Sequence, residues 1–311
     1  MDISEFPQIR SLDEYIEVQR KHYDACIDSI EHDLTIDGFD VTLRFKHLKF
    51  DGNNQPKFST LAKILANYLV CYSCSMRNWD RRPLSNYDSN ELYTSCREFL
   101  REYSKSGEAG EILLYFLLET VLRAPQMVAK IELKTNPKFE TLGSDGIHMR
   151  WNSDDKLIDI YFGEAKLYQS IYSALDEVFE SLNNFHSDDM SAHELKLVTK
   201  HYKWADSQLK GAVLNYINPQ EPNGDCRFNH ACLVGYDWEG YRELLANPQT
   251  VIEEFKRVYT EDTIRLRNLL QSRFDKDFQY KQFRYEVFFL PFLSVQDFRD
   301  SFFKAVGISH D

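Results

Sequence analysis

Hydrophobic and polar positions along this chain follow two periods, and the switches between them mark out its elements. Val41, Leu43 and Phe45 alternate with Thr42, Arg44 and Lys46, the period-two pattern of a strand with one face turned inward. Asp37-Gly38 just ahead is a turn signal, so the stretch LTIDGFDVTLRFKHLKF predicts a hairpin. Residues from Leu12 to about His32 predict an amphipathic helix before it, and Ser59 to Met76 predict another helix after it. The polar, proline-containing loop RNWDRRPLSNYDSN follows. It is the expected boundary between a helix and hairpin lobe, residues 1–90, and a larger domain, residues 91–311.

Downstream, GEAGEILLYFLLETVLRA predicts a buried helix and MVAKIELKT a strand. A hairpin around Asp145 comes next, then the apolar strand LIDIYF leading into Glu164, and a long helix from about Gln169 to Phe185. A lysine-rich helix precedes two further strands, HACLVGYDW and YEVFFLPFL, which are separated by two helical stretches. The order is helix, three strands, helix, strand. It predicts an α/β protein with a mixed central sheet flanked by helices, in the order found in the core of the PD-(D/E)xK nuclease fold.

Composition narrows the class. A chain of 311 residues is long enough for one large domain or two. The N-terminal MDISEFPQIR has no basic region followed by an apolar one, so no signal peptide is expected. The longest apolar run, Ile112 to Leu118, is too short to span a bilayer. A cytoplasmic protein without membrane contact is therefore expected, with its six cysteines as free thiols. Cys71 and Cys74 lack a second pair at zinc spacing, and Cys226, His230 and Cys232 lack a fourth ligand, which argues against structural zinc.

The net charge of −12 sets a condition on any nucleic-acid partner, because an acidic protein repels DNA at long range. Affinity then has to come from local basic patches and bridging cations. Arg97, Arg101 and Lys105 recur every four residues. Lys196, Lys200, Lys203 and Lys210 form a second stripe at near-helical spacing. Either stripe can track phosphates; either is equally well read as a solvated helix face.

The candidate chemistry lies between Thr141 and Tyr168. Glu164 and Lys166 flank Ala165 on one strand, so both point to the same face. Asp145 comes from the preceding strand, across the polar turn Asn152, Ser153, Asp154, Asp155. Two carboxylates on adjacent strands offer hard oxygen ligands to Mg²⁺ or Mn²⁺. Such a cation polarises a phosphoryl oxygen and activates water, and a neighbouring lysine orients the water or offsets developing charge.

Glu-x-Lys alone is a weak signal, since Glu132-Leu133-Lys134, Glu194-Leu195-Lys196 and Glu254-Phe255-Lys256 also fit it. Glu132 has no aspartate at hairpin distance upstream, and Glu194 and Glu254 fall in helical segments, where i and i+2 diverge. The competing reading of Glu164 and Lys166 is an ordinary strand end with surface charges. Glu111 adds a third acid near the start of the apolar helix. Helix-dipole placement accounts for its neighbour Glu108, whereas Glu111 is a candidate metal ligand, with Gly107 and Gly110 allowing close backbone approach.

The GEAGE-ILLYFLLE helix, the SDG-x-H hairpin and the YFGEAKLY strand resemble those of the HamA family, nuclease subunits of the Hachiman antiphage defence systems. The likeness is clear from about Gly107 to Phe185. It implies a PD-(D/E)xK nuclease in which Glu164 and Lys166 form the catalytic pair and Asp145 is a metal ligand. It also implies a partner, a superfamily 2 helicase, that restrains the nuclease and delivers it to DNA, which is then degraded with little sequence preference. Ser144 stands where the superfamily motif has proline, a position often varied within it. The N-terminal lobe and the phenylalanine-rich C-terminal stretch are candidate helicase-binding surfaces. Two other readings share the pattern: a non-catalytic adaptor that holds the helicase and positions DNA, and a sequence-specific restriction endonuclease.

Overall fold

The computed structural model describes residues 12–73, 85–98, 100, 107–128, 144–187, 226–246, 251–276 and 278–308. In chain order the first elements are helix α1 (Arg20–Cys26), strands β1 (Ile27–Ser29) and β2 (Asp40–Leu48), and helices α2 (Phe58–Asn67), α3 (Leu69–Ser73) and α4 (Asn86–Glu98). Helix α5 (Glu108–Val121) and strands β3 (Gln126–Val128), β4 (Gly146–Asn152) and β5 (Leu157–Tyr168) follow. The remainder is α6 (Ile171–Ser187), β6 (Cys226–Asp237), α7 (Gly240–Leu245), α8 (Val251–Phe274), β7 (Arg284–Phe292) and α9 (Val295–Ala305). The strands order as β1-β2-β7-β6-β5-β4-β3 in a seven-stranded sheet. It is mixed: β2 runs parallel to β7, while the β1–β2, β3–β4 and β4–β5 pairs are antiparallel. Among the described residues no helix is long and apolar enough to cross a membrane.

Three expectations from the sequence need correction. The helix expected from Leu12 to His32 is confined to α1, with a single 3₁₀ turn at residues 12–15 before it. Its missing part is explained by where the backbone donors go. The amides of Glu17 and Val18 donate to the carboxylate of Glu119 at 2.8 and 2.9 Å, and that of Gln19 donates to the Tyr68 hydroxyl at 3.0 Å. Amides held by distant side chains do not enter a helical ladder. After Cys26 the chain turns into β1 instead, with Ile27 opposite Leu48.

The hairpin is also rearranged. The Asp37-Gly38 turn is present, with Gly38 at φ +77°, a conformation that suits glycine. The antiparallel partner of β2 is β1, however, and not residues 34–36. The helix expected over 59–76 breaks at Tyr68 into α2 and α3, and Met76 lies outside the described residues.

The described chain forms two compact units, neither of them a single stretch of sequence. The first unit comprises residues 1–19, 67–163 and 184–229, and the second 20–66, 164–183 and 230–311. Strands β5 and β6 each begin in the first and end in the second.

The core of the second unit is rich in aromatic rings. Helix α8 buries Val251, Phe255, Tyr259, Thr263, Leu266, Leu270 and Phe274, a stripe at three- and four-residue steps. Phe45, Phe179, Val287 and Phe289 join the same cluster. The C-terminal phenylalanines 288, 289, 292, 298, 302 and 303 are fully buried, so these side chains belong to the core and present no docking surface. Ser294 caps α9 by accepting the amide of Asp297 at 3.0 Å.

Trp238 is walled in by Tyr241, Phe255 and Tyr259, with ring centroids 5.2–5.3 Å away, and its indole N–H donates to Asp262. A Cβ on Gly240 would fall on this indole ring, which has nowhere to move. Gly240→Ala should therefore cost about 1–3 kcal/mol, as overpacking does. Chemical denaturation of the full chain checks it.

Candidate active site

Helix α5 is buried over nearly its whole length, which suits its apolar sequence but not its acids. Glu108, Glu111, Tyr115 and Glu119 lie three or four residues apart and so form one polar stripe along it. Burying such groups is costly unless donors meet them. Glu119, fully buried, accepts the amides of Glu17, Val18 and Gln126. The Tyr115 hydroxyl donates to Glu17 at 3.3 Å, and that of Tyr72 donates to Glu111 Oε2 at 2.7 Å. Burial pushes the Tyr72 phenol well above its ordinary pKa, and the carboxylates of Glu111, Asp145 and Glu108 push it further. Asp145 and two acids of α5 therefore act electrostatically on one phenol. At the helix start, a Cβ on Gly107 would stand 3.3 Å from Glu111 Oε1.

The β4–β5 hairpin supplies the other half of the expected site. Asn152 Oδ1 accepts the amides of Asp154 and Asp155, both at 3.1 Å, and Lys156 takes φ +55° to close the turn. This fixes the register from Asn152↔Leu157 to Gly146↔Gly163. One step beyond, the Asp145 amide donates to the Gly163 carbonyl at 2.8 Å. Gly163 has no room for a side chain: a Cβ there would lie 3.0 Å from Leu114 Cδ2 and 3.3 Å from the Gly146 carbonyl oxygen. Glu164 is the next residue along the strand. Its carboxylate and the Lys166 ammonium are paired at 2.9 Å, on one face as their spacing predicts. Both side chains are mostly shielded, 16% and 20% exposed.

Other expected residues are placed as follows. Arg97 is half-buried near the end of α4. Arg101, Lys105, Lys196, Lys200, Lys203 and Lys210 lie outside the described residues. Glu254 sits on α8 and pairs with Arg257 one turn along, as a helical Glu-x-Lys should; Glu132 and Glu194 lie outside the described residues. The oxygen donors of Glu111, Asp145 and Glu164 fit a hard divalent cation in chemical kind. Among the described residues, no three or more His, Cys, Asp or Glu side chains are already gathered as a metal-holding group.

The sequence reading passed over Asp159, the third residue of β5. It is fully buried, yet it carries a charge network. Arg227 Nε donates to it at 2.7 Å, Asn152 at 3.0 Å, Arg150 Nε and Nη2 at 3.2 Å, and Asn229 at 3.3 Å. Arg227 also pairs with Asp155. The only hint was a charged residue at an otherwise apolar point of LIDIYF.

A model of the HamA family matches residues 22–306, nearly the whole chain. No curated protein matches the chain.

Burial raises the Asp159 pKa, but the hydrogen bonds from Arg227 and Asn152 and the charges of Arg227 and Arg150 outweigh it, leaving the carboxyl below its ordinary value. A depressed folded-state pKa gives stability that is complete above the unfolded value of about 3.9 and lost as the pH falls through the folded one. Asp159→Asn should therefore cost about 2–3 kcal/mol at neutral pH, discounted for the part-exposed arginines. The gap to wild type should close as the pH falls below about 4. Urea unfolding at several pH values measures both.

Proposed function

The chain belongs to the HamA family, which makes it a component of a Hachiman antiphage defence system, and we propose that it is the system's metal-dependent deoxyribonuclease. In this reading its core is a PD-(D/E)xK nuclease fold, and a partner helicase restrains it and delivers it to DNA, which it cuts without strong sequence preference. The observation that carries the proposal is the register of the β4–β5 hairpin. It binds the Asp145 amide to the Gly163 carbonyl, one residue ahead of a Glu164–Lys166 pair that shares a face. Glu111, whose carboxylate accepts the Tyr72 hydroxyl, supplies the third acid.

The roles follow from the groups. Asp145, Glu164 and Glu111 would hold Mg²⁺ or Mn²⁺ through carboxylate oxygens. When bound, such an ion polarises the phosphoryl oxygen and lowers the pKa of the attacking water. The Lys166 ammonium, on the face of Glu164, orients that water or offsets charge growing on the phosphoryl oxygens. The acidic net charge makes DNA a poor partner for the chain alone. Delivery by a helicase removes that obstacle and keeps an indiscriminate nuclease off host DNA.

Plasmid cleavage with Mg²⁺ or with EDTA, by wild type and Glu164→Ala, each with and without helicase and ATP, tests the proposal. Cleavage should require the metal and fall at least about 100-fold in Glu164→Ala, the scale of losing one electrostatic contributor. The variant should still assemble with the helicase and melt close to wild type. Cleavage by the chain alone as fast as by the complex would refute restraint by the partner. No cleavage under any condition by an intact complex would establish an adaptor, and discrete fragments would identify a sequence-specific enzyme.

A further inference from the structure

We infer that Tyr72 is a positioning residue for the proposed metal centre: its hydroxyl holds the carboxylate of Glu111 in the orientation that receives a divalent cation. The inference rests on the nuclease reading above and adds to it a residue from outside the helix and hairpin that carry the acids.

Tyr72 lies on the five-residue helix α3, far from Glu111 in sequence. Its side chain is 2% exposed, and a buried phenol needs an acceptor for its proton. That proton goes to Glu111 Oε2 at 2.7 Å. The other oxygen, Oε1, faces the bare Cα of Gly107, where any side chain would crowd it. The phenol is itself held in place. Its ring packs 5.8 Å from the ring of Tyr115, whose hydroxyl is directed to Glu17. Glu111 is thus gripped at one oxygen by a donor that cannot swing away. Hydrogen bonds of this kind to a ligating group commonly change metal affinity 10- to 100-fold.

The competing role is packing alone, in which Glu111 merely satisfies a buried tyrosine. The two differ in what removal of one oxygen atom does. Mn²⁺ binding is measured on the full chain by the loss of the free-ion electron paramagnetic resonance signal, for wild type, Tyr72→Phe, Glu111→Gln and the double variant. Tyr115→Phe serves as a control that also loses a buried phenol hydroxyl. Melting temperatures confirm that each variant is folded at the assay temperature.

Tyr72→Phe should weaken Mn²⁺ binding about 10- to 100-fold. Tyr115→Phe should bind like wild type even where it melts earlier. In the double variant, the Tyr72→Phe effect should vanish against Glu111→Gln, because the phenol acts through that carboxylate. Unchanged affinity in Tyr72→Phe, an equal loss in Tyr115→Phe, or full additivity with Glu111→Gln would each assign Tyr72 to packing. A folded wild type that takes up no Mn²⁺ would remove the metal centre itself, and the inference with it.

Discussion

An apolar helix that carries acids is costly to bury unless donors meet them, and α5 is such a helix. Its polar stripe, Glu108, Glu111, Tyr115 and Glu119, runs along an otherwise greasy cylinder. Glu119 takes the backbone amides of residues 17, 18 and 126, which ties the N-terminal segment and the start of β3 to one side chain. Tyr115 answers Glu17, and Glu111 answers Tyr72. Remove these partners and the helix would hold charges without compensation, at a cost comparable to the whole stability of a domain. Structural and candidate catalytic acids thus share one stripe and one solution.

The hairpin solves a different problem, that of register. A slip of one residue would reverse the face of every side chain on β5, Glu164 and Lys166 included. The Asn152 turn sets the pairing at one end and the Gly146–Gly163 approach sets it at the other. Between them Asp159 draws in two arginines and two asparagines, from β4, the turn and β6. Such a network forms with all its members only in one alignment, which makes it as much a specifier of register as a source of stability.

What the sequence disclosed and what it hid divide along physical lines. Periodic patterns and unbroken apolar runs located α5, α6, β4, β5, β6 and β7, because burial in the core dominates those segments. The same patterns misjudged residues 12–32, where the amides of 17–19 are captured by side chains about a hundred and about fifty positions away. Local propensity carries no record of such a capture. Glu164 and Lys166 were legible from strand alternation, since a two-residue step fixes a shared face. Tyr72 and Asp159 were not, because a tyrosine in a helical run and a lone acid in a strand acquire meaning only through residues distant in sequence.

The interleaving of the two units has a consequence for how this protein can be inherited. Each unit draws on early, middle and late segments, and β5 and β6 pass through both. No crossover point in the gene would exchange one unit and leave the other whole, since each unit is assembled from three separated segments that alternate along the chain. Recombination between diverged relatives would break up matched cores more often than it would shuffle modules. A chain built this way diversifies by accumulated substitution, with any new partner surface evolving on a scaffold that must be kept entire.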